Sequence, residues 1–144
     1  MYLAAIMDWY SRFVIGWNLS NTLDSAFCVE MLEKALTKAK PRIFNTDQGA
    51  QFTSEIWIRT LEANGIQISM DGRGCYFDNI FIERLWRTVK YEEIYLKGHR
   101  EVAGLRDGLT SYFYYYNERR YHQSLDYNFP SEVYYGKPIQ LKGA

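Results

Sequence analysis

The segment Asn45-Thr46-Asp47-Gln48-Gly49 constrains the fold of this 144-residue chain more than any other. It follows the short apolar run Arg42-Ile43-Phe44, which predicts a strand. Thr53 comes shortly afterwards and predicts the cap of a helix that ends near Ala63. A carboxylate at the end of a buried strand, followed by a glycine and a helix start, is a common location for chemistry. Asp47 is therefore the first candidate site residue.

A second acid, Glu83, lies in the segment Asp78-Asn79-Ile80-Phe81-Ile82-Glu83-Arg84-Leu85-Trp86, which has helical periodicity. Two carboxylates, one from a strand end and one from a helix, can bind a hard cation such as Mg²⁺ or Mn²⁺. A pair of such ions can activate a hydroxyl and stabilise the oxygen that leaves phosphorus. Arg87 and Lys90 follow Glu83 by one and two turns, which makes them candidates for phosphate contacts.

The same residues also permit an ordinary structural interpretation. Asp47 would then cap the next helical region, and Glu83 would be a surface acid paired with Arg87. His122 has two interpretations as well: it contacts DNA, or it fixes the C-terminal segment through a hydrogen bond, and we favour the second.

The composition gives no sign of a nucleic-acid partner, because 17 basic and 17 acidic residues leave a net charge of zero. Apolar residues make up 47% of the chain, enough for one folded domain. Cys28 and Cys75 form no metal-binding pattern. The sequence shows neither a signal peptide nor an apolar run of transmembrane length. We therefore expect a cytoplasmic protein without a membrane partner.

Periodicity predicts a single α/β domain over residues 1–144, with strands first and helices later. Two glycines in the loop Asp71–Gly74 predict mobility there. Residues 117–144 form a polar and aromatic C-terminal tail, in which Pro130 begins a short helix near 131–135. The other predicted elements are an antiparallel hairpin of strands 2–7 and 12–19, strands 42–46 and 66–70, and helices 24–40, 53–63, 78–95 and 100–116.

Several motifs together indicate a family. Asn45–Ser54 resembles the second-acid motif of the integrase-core, DDE-type transposases of bacterial insertion sequences, and Asp78–Trp86 resembles their third-acid helix. The thirty-five residues between Asp47 and Glu83 are similar to the spacing in that family. Further similar segments are Asp8-Trp9-Tyr10-Ser11-Arg12, Tyr115-Tyr116-Asn117, His122-Gln123-Ser124-Leu125 and Pro130-Ser131. The resemblance extends from about Tyr2 to Tyr135.

This resemblance implies a ribonuclease H-like mixed sheet flanked by helices, as in retroviral integrases. It also implies two Mg²⁺ ions, with Mn²⁺ as a substitute, held by three acids. Such an enzyme cuts DNA at transposon ends, joins the free 3′ hydroxyl to target DNA and is expected to form a homo-oligomer. Asp47 corresponds to the second acid and Glu83 to the third, both as metal ligands, and Arg87 and Lys90 are expected to bind DNA.

The first acid of the family lies on a strand that precedes the strand ending at Asp8, and this chain has no such strand. We therefore expect an N-terminally truncated catalytic core that is inactive alone. Asp8 corresponds to the end of the second strand, so we expect it to make polar contacts with Ser11 and Arg12 rather than bind metal.

Two other functions stay open at this point. The zero net charge and the missing acid are also compatible with a non-catalytic DNA-binding or assembly fragment derived from a transposase. A ribonuclease H-like nuclease acting on RNA–DNA hybrids would share the acids, although the family motifs argue against it.

Overall fold

The computed structural model describes residues 1–47, 49–70 and 76–136. Its four strands form two separate two-stranded sheets within the described residues, β1 with β2 and β3 with β4. The strands are β1 (Tyr2–Met7), β2 (Val14–Ser20), β3 (Ile43–Thr46) and β4 (Gln67–Met70). The helices are α1 (Ser25–Leu36), α2 (Ala50–Thr53), α3 (Glu55–Ala63), α4 (Tyr76–Val89), α5 (Tyr95–Lys97), α6 (Val102–Glu118) and α7 (Pro130–Tyr134).

The chain divides into two compact units, and the first consists of residues 1–6 and 15–80. β3 runs parallel to β4, with Ile43 opposite Gln67 and Thr46 opposite Met70. Trp57 of α3 is fully buried and makes edge contacts with two phenylalanine rings, Phe44 and Phe52. The buried core of this unit contains Ala4, Ile6, Cys28, Val29, Met31, Leu32, Ala35, Trp57, Leu61 and Ile66. Residues from both sheets therefore share one core with α1 and α3.

Local chemistry explains where the helices of this unit begin and end. The Asp24 carboxylate accepts a hydrogen bond from the Ala26 N–H at 2.6 Å and so caps α1. α3 ends at Asn64 and Gly65, where Gly65 adopts a φ of 71°, a conformation that glycine adopts without strain. This end of α3 confirms the helix stop that the Asn64-Gly65 pair predicts.

The second unit consists of residues 7–14 and 81–144, described as far as residue 136. α6 supplies much of its interior through the buried side chains of Leu109, Tyr112, Phe113 and Tyr116. The buried Asn117 amide accepts a hydrogen bond from the Val14 N–H at 2.9 Å and donates one to the Val14 carbonyl at 3.0 Å. The side-chain amide thus pairs with the backbone of Val14, the first residue of β2, as a neighbouring strand would. These two bonds connect residues 7–14 to α6.

Three local predictions are wrong in detail. Thr53 ends the short helix α2 instead of capping α3, whose N-cap position is Ser54. Asp78 lies inside α4, which begins at Tyr76. The predicted continuous helix to residue 95 changes at Lys90–Ile94 into a π-helical segment, which buries Glu93. The predicted mobile loop 71–74 lies outside the described residues. No helix among the described residues is long and apolar enough to cross a membrane.

Candidate active site

Asp47 follows the last residue of β3, at the end of the parallel β3–β4 pair. Its Oδ1 accepts a hydrogen bond from the Gly49 N–H at 2.7 Å, and the side chain is exposed. A Cβ atom at position 49 would lie 2.9 Å from that oxygen, so only glycine leaves room for this arrangement. The second carboxylate oxygen accepts no hydrogen bond from the described residues. Asp47 is thus held by the backbone with one oxygen available to a ligand.

Glu83 lies on α4 in the second unit and is exposed, as are Arg87 and Lys90 on the following turns. Among the side chains that the structure describes, no ion pair joins Glu83 to either cation. The interpretation of Glu83 as a surface acid neutralised by Arg87 therefore finds no support. Two basic groups that form no ion pair among the described side chains therefore lie on the same helical stretch as the acid.

The donor chemistry of these two acids fits a hard divalent cation, because both are carboxylates without a basic partner in the described residues. Asp47 belongs to the first unit and Glu83 to the second, so their convergence on one ion stays a prediction. Within the described residues, no three His, Cys, Asp or Glu side chains form a group able to hold a metal ion.

Asp8 has the structural role that was expected of it. Its Oδ2 accepts hydrogen bonds from the Ser11 N–H at 2.9 Å and the Ser11 hydroxyl at 2.6 Å. Ser11 is fully buried, and its Oγ accepts a hydrogen bond from the Phe13 N–H at 3.2 Å. Both bonds are made to one oxygen, and they hold the carboxylate in the turn between β1 and β2.

A polar network that the sequence did not reveal lies in the second unit. The Arg120 guanidinium donates to both oxygens of Glu92, with its Nη2 at 2.9 Å from Oε1, and the Tyr112 hydroxyl donates to Glu92 Oε2 at 2.7 Å. Burial opposes ionisation of Glu92, but the hydrogen bonds from Arg120 and Tyr112 outweigh it and lower the pKa of Glu92. Burial, together with the bond to Glu92, raises the pKa of Tyr112. This network fixes Arg120, which is therefore a poor candidate for a free DNA contact.

His122 is buried beside this network, with its ring edge against Tyr116. Burial and the nearby positive charge of Arg120 lower the pKa of His122 to about 4, although a hydrogen bond with the Tyr116 backbone acts in the opposite direction. His122 therefore fixes the C-terminal segment, as the favoured interpretation predicted, and its neutral ring is not placed for DNA contact.

Comparison with known proteins now gives these features a context. A family model described as an integrase core domain matches residues 1–74, and a second model with the same description matches residues 64–130. The chain belongs to the integrase core family. The transposase for insertion sequence element IS904 from Lactococcus lactis subsp. lactis (strain IL1403) is 33% identical over 136 residues, covering 92% of this chain and 54% of that protein. The chain thus spans about half the length of the curated relatives that it matches.

Solved structures agree with this family. The catalytic core domain of BIV integrase matches 93% of this chain and 85% of its own with a TM-score of 0.76, at 15% identity. The HTLV-2 integrase catalytic core domain in complex with magnesium matches 91% of this chain and 82% of its own with a TM-score of 0.70, at 16% identity. The expected α/β class and the likeness to retroviral integrase catalytic cores, which are ribonuclease H-like, are both confirmed.

Proposed function

We propose that this chain is the catalytic core of an insertion-sequence transposase, which cuts and joins DNA ends by metal-dependent phosphoryl transfer. One observation carries the proposal: the two acids that correspond to the family pattern, Asp47 and Glu83, are both exposed and form no ion pair among the described side chains. The Gly49 N–H bonds to one oxygen of Asp47, and the other oxygen has no partner among the described residues. The same observation gives no support to the non-catalytic alternative.

In this proposal Asp47 and Glu83 hold Mg²⁺, which Mn²⁺ can replace. The bound ions would supply activation of the attacking hydroxyl and stabilisation of the leaving oxygen. The protein itself contributes the placement of the ligands: the Gly49 N–H orients the Asp47 carboxylate, and α4 carries Glu83. The magnesium seen in the HTLV-2 integrase core supports this choice of cofactor.

The separation of β1–β2 from β3–β4 supports a further part of the proposal. In the ribonuclease H-like fold, a strand that carries the first acid lies between the strands corresponding to β1 and β3. We propose that such a strand, from outside residues 1–144, completes the sheet and provides the third carboxylate. Residues 1–144 would then act with it as one catalytic core, in an oligomer as in the dimeric HTLV-2 integrase core.

Substitution of Glu83 tests the proposed function. In the full-length transposase, supplied with pre-cut transposon ends and Mg²⁺ or Mn²⁺, Glu83→Gln should reduce strand transfer by at least about 100-fold because a metal ligand is lost. DNA affinity should change little. Glu101→Gln, at another exposed acid, is the matched control and should keep full activity. Full activity of Glu83→Gln would refute the proposal.

Arg87 and Lys90 are proposed to contact DNA phosphates beside Glu83. Each contact releases about one counterion from DNA, so Arg87→Ala and Lys90→Ala should each reduce the slope of log K against log salt by roughly 0.9. Fluorescence anisotropy over a salt series measures this slope, and the loss should be the same for any DNA sequence. An unchanged slope would leave both residues as ordinary solvated side chains.

A further inference from the structure

The turn between β1 and β2 is held more firmly than a simple hairpin connection needs. Its backbone closes through two hydrogen bonds, from Asp8 N–H to the Phe13 carbonyl at 2.9 Å and from Arg12 N–H to the Asp8 carbonyl at 2.8 Å. The Asp8 carboxylate and the buried Ser11 hydroxyl add three more. These hydrogen bonds fix Asp8 at the start of the turn and Ser11, Arg12 and Phe13 at its end.

Arg12 adopts an unfavourable backbone conformation within this turn, with a φ of 64°. This left-handed region is energetically unfavourable for residues other than glycine, so glycine at position 12 would form the turn with less strain. An arginine at such a position indicates that its side chain offsets the cost through a contact elsewhere.

That contact is with Phe81 of α4. The Arg12 guanidinium carbon lies 3.6 Å from the centroid of the Phe81 ring, a close cation–π contact. The Trp9 ring meets the same ring edge-on, with a centroid separation of 6.3 Å and an interplanar angle of 61°. All three residues belong to the second unit, so one side chain of α4 is fixed by two side chains of the turn.

Phe81 precedes Glu83 by two residues on the same helix. The buried Leu85 and Val89 anchor the following turns of α4, whereas Phe81 anchors the part of the helix before Glu83. Because a helix transmits rotation and axial displacement rigidly over one turn, the contact with Phe81 constrains the backbone from which the Glu83 side chain projects.

We propose that the turn Asp8–Phe13 is a positioning device for Glu83, in which Arg12, supported by Trp9, fixes α4 through Phe81. The inference rests on the proposed function, in which Glu83 is a metal ligand. Arg12 acts through Phe81 and Glu83 and is a positioning residue, not a group that touches the reacting atoms. This positioning role accounts for the Asp8-Trp9-Tyr10-Ser11-Arg12 motif, which has no part in metal binding in the proposed function.

Arg12→Gly in the full-length transposase separates this role from turn formation, because glycine relieves the backbone strain while the guanidinium is removed. We expect the thermal midpoint to be unchanged or raised. The kcat of strand transfer should fall about 10-fold with a change in KM for DNA of less than about 2-fold, because a displaced ligand affects the reacting geometry more than DNA binding. Mn²⁺ affinity, measured calorimetrically without DNA, should weaken about 3-fold or more, as expected for a displaced ligand.

A double-mutant cycle identifies the path of the effect. Phe81→Leu should reproduce the kinetic loss, and Arg12→Gly combined with Phe81→Leu should lose no more than either change alone, because both remove one contact. Arg12→Lys keeps a cation over the ring and should restore part of the activity. Arg100→Ala, at an exposed arginine of the same unit, is the matched control and should behave as the wild type.

Full activity of Arg12→Gly would overturn the inference. So would weaker DNA binding with a reduced salt slope and an unchanged kcat, which would make Arg12 a phosphate contact instead. Glu83→Gln, assayed in parallel, distinguishes the two proposals. If Glu83→Gln is inactive while Arg12→Gly is fully active, only the positioning role fails; if Glu83→Gln is active, the proposed function fails.

Discussion

His122 should make the stability of the protein depend on pH. Burial, the Arg120 charge and, more weakly, Arg12 lower its pKa to about 4, while Glu92 acts in the opposite direction. In the unfolded chain the ring titrates near the ordinary value of 6.5. Between these two values the unfolded chain binds more protons than the native one. The free energy of unfolding is therefore highest above about pH 6.5 and falls as the pH drops towards 4, by an amount of the order of 3 kcal/mol.

Urea denaturation at pH 7, 6 and 5 measures this effect. His122→Gln removes the titrating ring and should flatten the pH dependence relative to the wild type, because the carboxylates contribute equally to both proteins. Parallel curves for the two proteins over this range would show that His122 is not responsible.

Gly49 controls the Asp47 carboxylate, so Gly49→Ala should impair metal binding while leaving the fold intact. The new Cβ would lie 2.9 Å from Asp47 Oδ1 and 3.1 Å from Gln51 Oε1. Both atoms are at the ends of side chains that can rotate away, and we therefore expect a stability change below about 1 kcal/mol. Calorimetry should show weaker Mn²⁺ binding, with a parallel fall in strand transfer. Unchanged Mn²⁺ affinity would show that the bond from Gly49 N–H is not needed to orient Asp47.

The π-helical segment after α4 depends on a close approach to α6. Glu93 is almost fully buried, with its Oε1 2.8 Å from His99 Nε2 and its Oε2 2.8 Å from Lys97 Nζ. A Cβ at Gly108 of α6 would contact Glu93 Oε1 and lie 2.7 Å from His99 Nε2. The buried acid and its partner His99 thus lie in a space that only glycine at position 108 leaves open.

Gly108→Ala should therefore destabilise the protein by about 1–3 kcal/mol, because the added methyl group displaces a buried ion pair. Gly104→Ala on the same helix is the matched control: its Cβ would find only His99 Nδ1, at 3.9 Å. Alanine should stabilise α6 there by up to about 1 kcal/mol, by helix propensity. Urea denaturation of the two variants should give shifts of opposite sign, and equal shifts would contradict the account.

Elements were predictable where one face is apolar and a local signal marks the ends, as with Asp24 before α1 and Gly65 after α3. The π-helical segment was not, because Glu93, Lys97 and His99 have the polar pattern of a solvated helix face. The burial of Glu93 follows from Gly108, a distant residue. The pair of Glu92 and Arg120 is separated by 28 positions, so no local periodicity could reveal it.

The same limit applies to the candidate site. Asp47 and Glu83 could be chosen from motif and spacing, which depend on residue types in order along the chain. The left-handed backbone at Arg12 could not be predicted, because an arginine in a sequence gives no sign of such a conformation. The role of Phe81 as its partner was equally hidden, since helical periodicity assigns this ring to an apolar face without naming what covers it.

The two separate sheets constrain the molecule as a whole. β1 pairs with β2 and β3 with β4 among the described residues, yet Ala4 and Ile6 of β1 share a buried core with Ile66, next to β4. One edge each of β1 and β3 thus has no strand partner in residues 1–47, 49–70 and 76–136. Each buried polar group without a hydrogen bond costs about 1–3 kcal/mol, whereas a whole domain is stable by only about 5–15 kcal/mol.

Residues 1–144 alone should therefore self-associate or be poorly soluble, because exposed strand edges pair with other chains. They should also lack strand transfer, since two carboxylates do not position two metal ions. A longer transposase polypeptide with about twenty to thirty further residues before residue 1 has room for one strand and its turn. Sedimentation and strand-transfer assays should show the loss of non-specific self-association and the gain of Mg²⁺-dependent activity together in that polypeptide. If residues 1–144 already form a stable, active monomer, then the edges of β1 and β3 close on each other, and Asp8 must be the third ligand.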